Sequence, residues 1–342
     1  MSLRKITCLL LALCFVFSFV GCGKQNPSTD NSNQDSSIKD TSSYALNQLT
    51  GEKTLSPNNK NKRPIAIMVN NVSVAQPVQT GVAKADLVFE TEVEGGITRL
   101  LAVYADPSDV GTIGTIRSAR LVYADIANGL GAFYVHHGID YTYCDPHIKA
   151  NGIIHGNIGS PYAERQSNGL ASEHTLYTNG ANLVKYLKSC GYDAEVTVKP
   201  FASFATSDIA PSNSGASFVR VSFSTSYATD FIYNDTAKKY TRAKNNSPLK
   251  DYTTGETAEF KNVFVLKTSM SYYSDNYHRS IDLTGGSGYY ISNGKYEEIK
   301  WSKGASSNSF KFTKLDGTEL AVNPGNSYIC ITKAENKITI NQ

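Results

Sequence analysis

From Pro64 onward, apolar and polar positions follow two different periods. "PIAIMVN" at 64–70 is a continuous apolar run of β type, and "ADLVFETEVEGGITRLLAVYA" at 85–105 predicts two strands about a Gly95, Gly96 turn. "RSARLVYADIANG" at 117–129 predicts a helix with Ser118 as N-cap. Its Ala119, Leu121, Val122 and Ile126 fall on one side, and Asn128 with Gly129 forms the stop. "GAFYVHH" at 131–137 is another strand, and "TNGANLVKYLKSCG" at 178–191 a helix closed by Gly191. After residue 205 the helical period disappears. "SFVRVSFS", "DFIYNDTAKKYTR", "NVFVLKT", "GYYISNGKYEEIKW", "SFKFTKLDGTELAV" and "SYICITKAENKITI" all read as strands, with turn signals at Asn293, Gly294 and at Asp316, Gly317. The pattern predicts an α+β fold: a mixed sheet with flanking helices over 63–205, then a β-rich domain over 206–342.

The first 62 residues break this pattern. Arg4 and Lys5 precede an apolar run at 6–20 that is too short to span a bilayer comfortably and suits a signal-peptide core. It ends in Val20, Gly21 and Cys22, the arrangement of a bacterial lipoprotein signal, so 1–22 is expected to be the signal and Cys22 the lipidated residue. Acyl chains such as palmitate on Cys22 would anchor the protein to the outer face of the cytoplasmic membrane. Residues 23–62 are rich in Ser, Asn, Asp and Gln, and predict a tether of roughly 35 Å r.m.s. span.

Charge and cysteine content then remove several classes. Lys and Arg number 33 against 30 Asp and Glu, and no basic run occurs in the folded part, so nucleic-acid binding is disfavoured. Beyond the leader only Cys144, Cys190 and Cys330 remain, an odd number at wide spacing that fits neither a disulfide framework nor a zinc motif. One pair could bridge; three buried thiols are the simpler expectation. No metal or other cofactor is expected.

"PIAIMVNN", "KADLVFETEVEGGITRLLAVY", "GTIRSAR" and "GAFYVHHG", followed by "YTR", "NVFVL", "GSGYYISNGKYEEIKW" and "DGTELAVNPGNSYI", resemble the YerB-like bacterial lipoproteins, a family defined by a domain of unknown function. The resemblance covers about residues 63–339. It implies an envelope lipoprotein and no particular activity. Around His174 the chain reads "SEHTLYT", where the family carries Pro-His-Asn, so Glu173 and Thr175 depart from the pattern.

Candidate chemistry concentrates in "ETEVEGGITR" at 90–99. A two-residue turn at Gly95, Gly96 would pair Glu92 with Arg99 and set Glu90, Glu92, Glu94 and Arg99 on one face. Buried carboxylates need partners, and Arg117 and Arg120 are the nearest further arginines. One reading is an ion-paired network that fixes strand register. Another is an anion site built from Thr98, Arg99, Arg117, Ser118 and Arg120 at a helix start. A third is a hydrolase or transferase that uses Glu90, Glu92 or Glu94 with a second wall from "HHGIDY", where His136, His137 and Asp140 lie. Consecutive His136 and His137 point to opposite faces of a strand, which argues against a shared metal. No nucleophile elbow, Ser-x-x-Lys or Cys–His signature occurs. The expected role is non-catalytic binding or regulation at the envelope, with a cell-wall polymer such as peptidoglycan or a wall-synthesis protein as partner. A receptor for a small anionic solute is the further alternative.

Overall fold

Ten strands, labelled β1 to β10 in chain order, build the main sheet: Ile65–Asn70, Leu87–Glu92, Thr98–Tyr104, Phe133–His136, His155–Asn157, Asn262–Thr268, Gly285–Ser292, Lys295–Ser302, Lys311–Lys314 and Ser327–Lys333. The spatial order is β9-β8-β7-β6-β10-β2-β3-β1-β4-β5. β1, β2, β4, β5, β6 and β10 run in one direction, while β3 and β7 run against them. In this computed structural model the described residues are 43–212 and 215–341. The signal, Cys22 and the first part of the expected tether lie outside them.

Both faces of the sheet are covered, which explains why its central strands read as nearly continuous apolar runs. Along β1, Ile65, Ile67 and Val69 face one core while Ala66 and Met68 face the other. The first core lies under helices α1, Leu121–Gly129, and α2, Cys144–Ala150, and includes Phe89, Tyr123, Phe201 and Phe310. The second lies under α3, Gly180–Ser189, and a six-stranded antiparallel sheet whose Val219, Val221, Phe231 and Tyr240 meet Leu100 and Ala102. Among the described residues all three α-helices precede residue 190, and the remainder is strand and turn.

Two expected boundaries move. Residues 45–62, read as tether, belong to the folded body: Ala45–Leu46 pairs with Lys53–Leu55, and Leu49 is completely buried in the first core. The apolar spacing of Ala45, Leu46, Leu49 and Leu55 was too sparse to stand out from the polar stretch around it. The division at 205/206 is also crossed, because β10, close to the end of the chain, inserts between β6 and β2. The described residues form one compact unit.

Ser118 is not the helix cap. α1 begins at Leu121 behind Arg120, which makes no side-chain cap, and Ser118 lies outside any helix or strand. The turn of the "ETEVEGGITR" hairpin holds three residues, Glu94, Gly95 and Gly96, with φ of 72° and 69° at the two glycines. Both conformations favour glycine. The added loop residue shifts the register by one: Glu92 faces Thr98, and Thr91 faces Arg99. A one-residue slip sends a side chain to the other face, so the expected Glu92–Arg99 pair does not form.

Candidate functional site at the carboxyl edge of the sheet

The parallel strands end side by side at Asn70, Glu92, His136 and Asn157, and β3 begins at the same edge with Thr98 and Arg99. In open sheets this edge is where ligands gather. The segment 115–120 is stitched across it: the Asn70 N–H donates to the Thr115 carbonyl (2.8 Å), Arg117 N–H to Met68 (3.2 Å), His137 N–H to Arg117 (3.1 Å) and Ala119 N–H to Gly138 (3.0 Å). Gly138, at φ 85°, permits the approach, because a Cβ there would lie 2.7 Å from the Ser118 hydroxyl.

This stitching gathers three arginines. Arg120 grips Glu94 through Nε (2.7 and 2.9 Å) and Nη2 (2.7 Å), the fork-to-carboxylate arrangement that gives strong, directional pairing. Arg99, only 6% exposed, donates to the Ser118 carbonyl at 2.8 Å. Arg117 donates to the Glu173 carbonyl at 2.8 Å, and its buried Nε has no protein partner. Among the described residues neither Arg99 nor Arg117 forms an ion pair. Burial first, then the nearby Arg120 and Arg117, pushes the Arg99 pKa down to about 10, against the pull of Glu94. Burial likewise lowers that of Arg117, with Glu173 opposing and Arg120 and Arg165 adding. Three guanidinium groups therefore sense one another, and only Arg120 is ion-paired, with Glu94. A carboxylate or phosphate arriving here would relieve that repulsion.

Beside the arginines lies a narrow cleft lined by Glu92, Glu94, Arg120, Asp140, His278 and Arg279. Arg279 pairs with Glu92, and His278 Nε2 lies 3.6 Å from Asp140. Burial works to raise the Asp140 pKa, but N–H groups of Thr142, Cys144 and Tyr143, with His278, hold it below the usual carboxylate range. The free volume is about 20 Å³, room for a single water.

The other expected site residues are engaged elsewhere. Glu90 is fully buried against the second core: Oε1 accepts from Asn71 (2.8 Å) and Thr98 (2.7 Å), and Oε2 from Thr229 (2.8 Å) and Tyr328 (2.6 Å). Thr98 is thus spent on Glu90 and does not face an anion site, and Ser118 contributes its carbonyl to Arg99. His136 is a core histidine, with Nδ1 2.8 Å from the Gly138 carbonyl and Nε2 3.0 Å from His155 Nδ1. Burial first, then His155, lowers its pKa to about 4. His137 Nδ1 lies instead 2.7 Å from the Ile158 carbonyl. Among the described residues no group of three His, Cys, Asp or Glu is arranged to hold a metal. Cys144, Cys190 and Cys330 are all free thiols.

Sequence reasoning missed His278 and Arg279, which lie 187 residues from Glu92 in the case of the arginine. The only local signal was the density of tyrosine in "SYYSDNYHRS", between two strand runs.

Comparison with known proteins agrees with this architecture. Residues 49–193 match the N-terminal domain, and residues 219–329 the C-terminal domain, of a family described as protein of unknown function (DUF3048). The chain is 30% identical over 331 residues to "Putative lipoprotein YerB" of Bacillus subtilis (strain 168), covering 94% of this chain and 93% of that protein. The crystal structure of the YerB protein from Bacillus subtilis superposes with a TM-score of 0.74 at 28% identity, covering 86% of this chain and 99% of that one. With both domains matched in order, and a relative aligned almost end to end, the chain belongs to the DUF3048 family, whose function is unknown.

Proposed function

We propose that this chain is a non-catalytic binding protein of the cell envelope, anchored by lipid on Cys22, that takes an anionic group of a wall polymer such as peptidoglycan at Arg99 and Arg117. The observation that carries the reading is the gathering of three arginines of which only Arg120 is ion-paired, while Arg99, nearly buried, and Arg117 donate to backbone carbonyls. The name of the Bacillus subtilis relative supports the anchor, and no helix among the described residues is long and apolar enough to cross a membrane. With the anchor on Cys22, the body would work at the outer face of the cytoplasmic membrane. Glycoside hydrolysis needs two available carboxyl groups flanking the bond. Here Arg279 holds Glu92, Arg120 holds Glu94, and Glu90 is fully buried among Asn71, Thr98, Thr229 and Tyr328.

The binding test is a titration with soluble, carboxylate-bearing peptidoglycan fragments. Arg117→Ala is expected to weaken binding about tenfold and to make it less sensitive to salt; equal affinity in wild type and variant sinks the arginine site. For the anchor, Cys22→Ser is expected to abolish palmitate labelling and release the protein from membranes, and retained membrane association removes the lipid from the account.

A further inference from the structure

Residues 269–284 leave the main sheet between β6 and β7 and form a small hairpin, Met270–Tyr272 with Arg279–Ile281, paired only with itself. Its aromatic rings meet those of the loop after β4 in an unbroken series. Tyr273 stacks on Tyr143 (centroids 4.3 Å apart, planes at 15°), His278 packs at 5.4 Å on Tyr143, and Tyr277 at 5.1 Å on His278. The Arg279 guanidinium lies 4.0 Å over Tyr272. Single exposed aromatic residues are ordinary on a protein surface, but here Tyr277 is 58% exposed and Tyr141, in the same loop as Tyr143, is 74% exposed. A ring cluster with strongly exposed tyrosines in it and two residues from it along the chain is a candidate interaction surface.

The charges around these rings are already compensated. Glu92 has Arg279, and Asp275 has His278 together with the N–H groups of Tyr277 and His278. Asp140 has three backbone N–H donors and His278. An ionic ligand would find no unpaired charge to satisfy. A neutral ligand with apolar ring faces and many hydroxyl groups fits better: its faces lie on tyrosine rings, and its hydroxyls bond to phenol groups and to carboxylate lone pairs left free.

We propose that this tyrosine hairpin, with Tyr141 and Tyr143, is a stacking platform for a neutral saccharide chain. The inference rests on the envelope-binding role proposed above and names the glycan chemistry that would lie beside the arginine site. Its test uses a probe without charge, a β-1,4-linked N-acetylglucosamine tetramer, titrated into the full-length protein by calorimetry. Saturable binding is expected, weakened about tenfold in Tyr277→Ala and in Tyr141→Ala, while Tyr252→Ala, exposed elsewhere on the surface, binds as wild type. Matching unfolding midpoints establish that the exposed-site variants are folded. Absence of tetramer binding, or equal loss in Tyr252→Ala, overturns the platform. So does photo-crosslinking from position 277 in intact cells that captures a protein and no glycan. If the tetramer fails while charged fragments still bind through Arg117, the platform falls and the arginine site stands.

Discussion

The Tyr328 hydroxyl donates to Glu90 Oε2 at 2.6 Å, joining residues 238 positions apart from the two matched family domains. The carboxylate it meets is fully buried and held by neutral donors, with Arg242 one step away through Asn71 Oδ1 at 2.7 Å. Removing the acid strands four donors in a dry interior, whereas removing the phenol strands one acceptor position. Glu90→Ala is therefore expected to lower the unfolding free energy by about 3–5 kcal/mol, and Tyr328→Phe by about 1–2 kcal/mol. Urea unfolding measures both; a Glu90→Ala loss smaller than that of Tyr328→Phe contradicts this account.

The Arg279–Glu92 pair is the main polar clamp of the tyrosine hairpin on the sheet edge, with both side chains largely buried. Either single substitution leaves an uncompensated charge; the double change leaves none. A cycle of Arg279→Met, Glu92→Gln and both together should give a coupling of about 1–3 kcal/mol. Additive losses would mean that the pair does not hold the hairpin.

Two groups, the buried His136 and the part-buried Asp86, bias stability in opposite directions with pH. Burial, aided by His155, depresses the His136 pKa from 6.5 to about 4, so the folded state binds fewer protons there than the unfolded chain. Stability from this group is present above about pH 6.5 and lost as pH falls toward 4. Burial raises the Asp86 pKa from 3.8 to about 6, against hydrogen bonds from Ala105 and Asn47. Its contribution is present below pH 3.8 and lost as pH rises through 6. Each is worth roughly 3 kcal/mol, and between about pH 4 and 6 they offset one another. Relative to wild type, Asp86→Asn should gain stability from pH 4 to 6, and His136→Gln should lose it. Parallel pH profiles for all three proteins would refute the opposition.

Cys144 and Cys330 are buried and Cys190 is half-buried. Burial, with Asp140 adding, pushes the Cys144 thiol up to about 12, and burial raises that of Cys330 well above its ordinary value. Alkylation of the native protein with iodoacetamide should label Cys190 at least tenfold faster than either, because it alone is partly exposed and burial disfavours the thiolates of the other two. Peptide mass spectrometry reads the order, and early modification of Cys330 would contradict the packing.

The sequence carried most of the element types, because "PIAIMVN" is a short, β-type apolar run of buried-strand length and "NLVKYLKSC" has helical spacing. The hairpin at 90–99 was legible as a hairpin, but its register was not. Two glycines allow a two- or a three-residue loop, and the choice was made by packing that puts Glu90 against Tyr328. The Arg120–Glu94 pair was within reach of local reasoning. Arg279 was not, since no periodicity links it to Glu92. Ser118 resembled a cap because it precedes an apolar run, yet its segment is tied by backbone hydrogen bonds to the ends of β1 and β4.

β10 emerges last of the ten strands and sits near the middle of the sheet, where it joins the β9-β8-β7-β6 group to the β2-β3-β1-β4-β5 group. Until it arrives, β6 and β2 are both bare edges, open to pairing with any passing strand. Contacts of such sequence separation form late, because the loops that close them are long. This order of assembly defers completion of the body until residues 327–333 are available to fill the gap. A translation product cut short before Ser327 would hold its Glu90 carboxylate beside an empty slot, and would be a natural target for proteolytic disposal.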